Sequence, residues 1–148
     1  NKCIKITKYF GNALEVIIPE FIEYNGENLP VSVIGKYAFR NVNSLTHITL
    51  PSNLIIIEDY AFSGCGNLMS VNITNGVDMI GNGAFYGCSS LLNIIIPSSV
   101  TTMGYGVFSS CKNITIYCEV MTKPNGWNNY WNLSNLNNPV VWGYNSEN

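Results

Sequence analysis

Apolar positions recur along this chain at one fixed interval. The pairs Ala38-Phe39, Ala61-Phe62, Ala84-Phe85 and Val107-Phe108 follow one another 23 residues apart. Four residues ahead of each Ala or Val, the same interval gives Ile34, Ile57, Ile80 and Met103. Further columns run through Val42, Cys65, Cys88 and Cys111, through Leu45, Leu68, Leu91 and Ile114, and through Ile48, Val71 and Ile94, then Leu50, Ile73 and Ile96. Each unit therefore holds an alternating stretch, L-x-x-I-x-[LI], suited to a strand with one buried face. A turn and the apolar hook I-x-x-x-A-F follow. The interval is far from the roughly 33–47 residues of helical repeats. It predicts a mainly β solenoid with little helix, its strands paired in parallel between rungs about 4.8 Å apart. Phe39, Phe62, Phe85 and Phe108 then line up as one buried spine.

At this point the resemblance is specific. The stretches VIGKYAFRNVNSLTHITLPSNLIIIEDYAFSGCGNLMSVNI and MIGNGAFYGCSSLLNIIIPSSVTTMGYGVFSSC resemble the BspA-like leucine-rich-repeat family. Its general class uses repeats of roughly 20–29 residues. The flanks agree, since EYNGENLPVSVIG is similar to the lead-in before the first rung of that family and PNGWNNYWNLSNLNNPVVWGY to its Trp-rich ending. The resemblance implies a leucine-rich-repeat solenoid. It also implies a secreted or surface-displayed protein, of bacteria or of some protists, that adheres to host extracellular proteins or to other cells.

An open solenoid exposes its last strand, so both ends need covering. Ile4 and Ile6 alternate with Lys2, Lys5 and Lys8, and a Gly11-Asn12 turn leads to Leu14–Ile18, which reads as an N-terminal hairpin. Asn25-Gly26 is a second hairpin turn. At the other end the pattern slips by one residue between Cys111 and Ile116, where repetition is expected to stop. Trp127, Trp131 and Trp142 are expected to fold over the last rung. Residues 1–30 thus read as an N-terminal hairpin cap, 31–118 as the repeats and 119–148 as a C-terminal capping segment.

Composition sharpens this picture. The chain carries 22 Asn, 13 Ser, 13 Gly and 17 Ile beside 4 Ala and 10 Leu, so turn formers and β-branched residues outweigh helix formers. Only 11% of residues are charged, the net charge is -2, and Arg40 is the single arginine. A grip on nucleic acid is therefore not expected. The longest apolar runs fall far short of the ~18 residues of a membrane-spanning helix, so no membrane insertion is expected of this segment. It opens on Asn rather than Met, without a charged-then-apolar leader, and reads as a processed chain or an excised piece.

Candidate chemistry is sparse. Cys65, Cys88 and Cys111 share a column whose first member is Val42, which suits small apolar fillers rather than bridges. Cys3 and Cys118 lie at opposite ends of the stack, too far apart for a disulfide. With no C-x-x-C and His47 as the only histidine, no metal set or cofactor is expected. His47 also has no activated partner, and the adjacent Glu58-Asp59 reads as a solvated charge pair, so the chain reads as non-enzymatic. What remains is surface. The variable strand positions His47, Thr49, Ser70, Asn72, Asn93 and Ile95 form a mostly uncharged polar ladder on the concave face, and such faces serve binding. The expected partners are extracellular or host-matrix proteins, or other cell surfaces. The alternative is a passive spacer inside a larger surface protein whose other modules bind or catalyse.

Overall fold

The computed structural model describes residues 1–133 and 138–147; residues 134–137 and 148, part of the segment expected to cap the stack, lie outside them. Twelve short strands occur among the described residues and no helix. They are β1 (Ile4–Ile6), β2 (Glu15–Ile17), β3 (Phe21–Tyr24), β4 (Glu27–Ile34), β5 (His47–Thr49), β6 (Ile56–Ile57), β7 (Ser70–Val71), β8 (Met79–Ile80), β9 (Asn93–Ile96), β10 (Thr102–Met103), β11 (Thr115–Cys118) and β12 (Val140–Trp142). They wind a solenoid of about 6 turns. One side is the continuous sheet β1-β4-β6-β8-β10, joined in parallel. A second side holds β2-β5-β7 and, as a separate sheet, β9-β11-β12. Tiers of turns carrying the Ala-Phe pairs close each rung.

Every rung buries the same columns. Ile34, Ile57, Ile80 and Met103 point inward from the continuous sheet, and Ile48, Val71, Ile94 and Ile116 from the other side. On the turn side, Phe39, Phe62, Phe85 and Phe108 stack with centroids 5.2, 5.4 and 5.9 Å apart. Backbone hydrogen bonds from one rung to the next hold that spacing, Phe39 N–H donating to Ala61 O at 2.8 Å and Phe62 N–H to Ala84 O at 2.8 Å. The cysteine column sits behind the rings. Cys65, Cys88 and Cys111 are buried free thiols whose Sγ atoms donate to the carbonyls of Phe39, Phe62 and Phe85 at 3.0, 3.3 and 3.0 Å. A small side chain with a weak donor thus fills the gap and satisfies a buried acceptor.

The N-terminus departs from the hairpin expected of Ile4–Ile18. Strand β1 pairs in parallel with β4, Ile6 opposite Ile34, and β2 pairs in parallel with β5, Val16 opposite Ile48. These residues form a further rung. Tyr9 takes the spine position, 5.2 Å from Phe39, and its N–H donates to Ala38 O at 2.8 Å. The physical reason is the edge: a separate hairpin would leave the N–H and C=O groups of β4 and β5 bare, whereas a parallel rung pairs them and half-buries Ile4, Ile6 and Val16. An antiparallel hairpin does form at Asn25-Gly26, both residues at positive φ (52° and 77°), joining β3 to the outer part of β4.

The other end also continues the stack. Trp127 bridges Met103, Val107 N–H donates to Trp131 O at 2.9 Å, and β12 pairs in parallel with β11. The spacing here is 24 residues instead of 23. Trp131 meets Phe108 edge-on at 6.2 Å, and the buried Trp127 ring donates its indole N–H to Val100 O at 3.0 Å. The three tryptophans therefore take rung positions and pack on one another, with centroids 5.0 to 6.1 Å apart.

A polar ladder on the strand face

The alternation of each strand aims its odd positions outward. In β5 the middle residue Ile48 is buried while His47 and Thr49 are exposed, and in β9 Ile94 is buried while Asn93 is exposed. Register places the columns. His47 lies opposite Ser70, and Asn93 opposite Thr115. The ladder runs further than the 23-residue interval reveals, because Glu15 lies opposite His47, Ile17 opposite Thr49, and Tyr117 opposite Ile95. The Asn25-Gly26 hairpin lengthens the first interval and the slip after Cys111 shortens the last. Those register partners are invisible to a search at constant period.

Between β7 and β9 the ladder is interrupted. Strand β7 ends at Val71, so Asn72 stands outside regular pairing, and the two sheets part. A cleft of about 340 Å³ opens there, lined by Asn72, Thr74, Asn75, Ile95 and Glu119. Asn72 and Ile95 thus meet at one cleft, Asn93 flanks it on β9, and His47, Thr49 and Ser70 lie on the other sheet.

The cleft mixes polar side chains with the apolar Ile73, Ile95 and Pro97, and its one charge, on Glu119, is engaged. Glu119 accepts from Ser98 N–H at 2.9 Å and from the Ser146 hydroxyl at 3.1 Å. At its rim Glu20 accepts from the Ser52 N–H and hydroxyl at 2.9 and 2.8 Å, and these bonds hold its carboxyl below the usual range. Exposed His47 sits 3.0 Å from the Thr46 hydroxyl and 3.9 Å from Glu15. Among the described residues, no three His, Cys, Asp or Glu side chains gather into a set able to hold a metal ion. Nor is any helix there long and apolar enough to cross a membrane. The arrangement offers hydrogen-bond donors and acceptors beside exposed Ile17 and half-buried Ile95 and Tyr117.

A family model described as BspA type leucine rich repeat region matches residues 19–136 in 6 copies. No curated protein shows a significant match to the chain. Among solved structures, a leucine-rich repeat protein from Bacteroides capillosus is 27% identical, with a TM-score of 0.66, over 93% of this chain and 85% of that one. A leucine-rich repeat protein of T. pallidum is 26% identical with a TM-score of 0.61 over 76% of this chain, which spans 62% of the length of that protein. A leucine-rich cell surface protein from Faecalibacterium prausnitzii is 27% identical, with a TM-score of 0.60, over 77% of this chain and 40% of that one.

Proposed function

The chain belongs to the BspA-type leucine-rich-repeat family, and from that premise we propose that it is a cell-surface or secreted binding module that adheres to extracellular host proteins or to other cells through its strand face. One observation carries the reading: of the outward strand positions, Asn72 and Ile95 line one cleft beside the break between two sheets, and Asn93 flanks it. Uncharged amides and hydroxyls recognise a partner through hydrogen bonds, so affinity depends weakly on salt. Surface display is supported by the similarity to the F. prausnitzii cell surface protein. A standard interface needs roughly 800 Å² per partner, so most of this face must engage and multivalent display supplies further avidity.

The test replaces His47, Asn72 and Asn93 together with Glu. Circular dichroism establishes folding, and adhesion to immobilised extracellular-matrix proteins is measured. Loss of adhesion in the folded variant is expected; undiminished adhesion overturns the strand-face site.

A further inference from the structure

We propose that Asn75 is a self-modifying site, where attack by the following backbone nitrogen removes the side-chain amide and gives the wall of the strand-face cleft a new negative charge. An asparagine side chain reaches its neighbouring backbone, and a glycine successor has no Cβ to block the approach. The chain has four such pairs, Asn25-Gly26, Asn75-Gly76, Asn82-Gly83 and Asn125-Gly126. In the reaction the glycine nitrogen bonds to the asparagine Cγ and closes a succinimide ring. The side-chain nitrogen leaves as ammonia with the proton that the glycine nitrogen loses. Water then opens the ring at either carbonyl and leaves aspartate or isoaspartate, with no other reactant.

The fold holds the four pairs unequally. Ring closure turns the Asn-Gly peptide plane until its nitrogen faces Cγ, so every bond that pins the plane or the side chain opposes it. Asn82 is pinned throughout: its N–H donates to Asp59 Oδ1 at 2.8 Å, its Oδ1 accepts the Tyr105 N–H at 2.7 Å, and the buried Gly83 donates to Tyr105 O at 2.9 Å. Asn25 sits in a two-residue turn closed by the Tyr24–Glu27 strand pair, with positive φ at both turn residues. In a turn of that class the first residue has ψ near about +30°, which points the next nitrogen away from its Cβ. Asn125 follows Pro124, and Gly126 packs so closely on Thr101 O that no methyl group would fit there. Trp127, buried, fixes the far side of that turn by donating to Pro124 O at 3.1 Å.

Asn75 is held far less. Strand β7 ends at Val71 and β8 begins at Met79, so exposed Asn75 and Gly76 stand in a turn with irregular backbone on both sides, which opens locally at small cost. A Cβ on Gly76 would meet nothing closer than 3.8 Å. Two bonds keep the turn shut, from Val77 N–H to Thr74 O at 3.2 Å and from Gly76 N–H to the Ser99 hydroxyl at 3.1 Å. The Ser99 hydroxyl donates in turn to Val77 O at 2.8 Å, so this one side chain latches the attacking nitrogen. The product changes the cleft. Asn75 and Glu119 line it together, so conversion sets a second carboxylate there, and isoaspartate also lengthens the turn backbone by one carbon. If the strand face binds as proposed above, a partner chosen by neutral amides then faces an uncompensated charge, and adhesion falls as the protein ages.

The test ages the whole chain at pH 8 and follows each Asn-Gly pair by peptide mapping and mass spectrometry. Asn75 is expected to convert first, at least about tenfold faster than Asn82, with aspartate and isoaspartate both formed. In denaturant the four pairs are expected to convert at similar rates, because only the fold separates them. Ser99→Ala, shown by circular dichroism to be folded, removes the latch and is expected to speed conversion at Asn75 alone. Earlier conversion at Asn25, Asn82 or Asn125, an unconverted Asn75, or an unchanged rate in folded Ser99→Ala overturns the proposal. Mapping needs no ligand, so a fresh parent that does not adhere overturns the strand-face reading and leaves this one standing. Where the parent adheres, its adhesion is expected to decline in step with conversion, whereas Asn75→Gln, whose longer side chain cannot close the five-membered ring, shows no decline from its own starting level. Full adhesion after complete conversion overturns the effect on the cleft.

Discussion

The central rungs and the two terminal rungs reach the same backbone arrangement by different means. Between Ile34 and Cys118 the same columns are filled by nearly the same residues, and each spine Phe between two others is shielded on both faces. The first and last rungs keep the parallel pairing but replace the spine with Tyr9, partly exposed, and with Trp131, which meets Phe108 edge-on. The difference shows what the solenoid requires. Rung-to-rung hydrogen bonds and an apolar ring at the spine are enough to continue the stack, while the fixed interval belongs only to rungs that pack identically on both sides. Ends can vary because only one of their faces must match.

Removing a ring tests that contrast most severely. Phe62 is fully buried between Phe39 and Phe85, so Phe62→Ala is expected to cost about 3–5 kcal/mol, most of the stability of a domain of this size. Tyr9 has one stacking partner and keeps part of its surface in water, so Tyr9→Ala is expected to cost only about 1–2 kcal/mol. Denaturant melts of the two variants measure the ratio. Equal losses would mean that the terminal rung is as tightly coupled to the spine as the centre.

The same contrast explains how much was legible beforehand. The central register could be read directly, because apolar columns at constant spacing leave one arrangement that buries them all. Asn25-Gly26 was equally readable, since its two positive φ values are what that dipeptide supplies. The terminal rungs were hidden. Tyr9 follows Ile6 by three residues where Phe39 follows Ile34 by five, and Trp127 follows Met103 by 24. On the strand face, alternation alone marked His47, Asn72 and Asn93 as outward. The parting of the sheets after the two-residue β7, and hence the cleft, depends on pairing between rungs that no local pattern records.

Thiol chemistry gives a smaller, sharper comparison. Burial pushes the Cys65 thiol up to about 11 and those of Cys111 and Cys118 up to about 12, and it raises Cys88 as well, so none forms the reactive thiolate near neutral pH. Cys3, in the exposed lead to the first rung, is accessible. Alkylation of the native protein at pH 8 is expected to modify one thiol, and alkylation after unfolding without reductant to modify all five. Cys88→Ala, which removes one sulfur and its bond to Phe62 O, is expected to cost about 1 kcal/mol. Mass spectrometry reads the first pair of outcomes and thermal melts the last.

The smallest effect lies at the seam between the terminal and central rungs. Lys5 of β1 donates to Glu58 at 2.6 Å, and Glu58 also accepts the Lys36 N–H at 2.9 Å, so Glu58, one half of the Glu58-Asp59 pair read from sequence as solvated charges, ties three rungs together. The Lys5 bond holds the Glu58 carboxyl below its ordinary range against the cost of partial burial, with the Lys36 N–H adding to the effect. Since the folded-state pKa is the lower one, this contribution is fully present above the ordinary carboxylate value near 4.5 and is lost as pH falls through the folded value. Glu58→Gln is therefore expected to destabilise at pH 7 by no more than about 1 kcal/mol, as partly exposed pairs do, and by progressively less below pH 4.5 and in high salt. Hydrogen exchange localises the change: amides of Ile6 and Gly35 should lose protection while those of Ile80 and Phe85 keep it. A loss spread evenly over all rungs would show that the seam is no weaker than the centre.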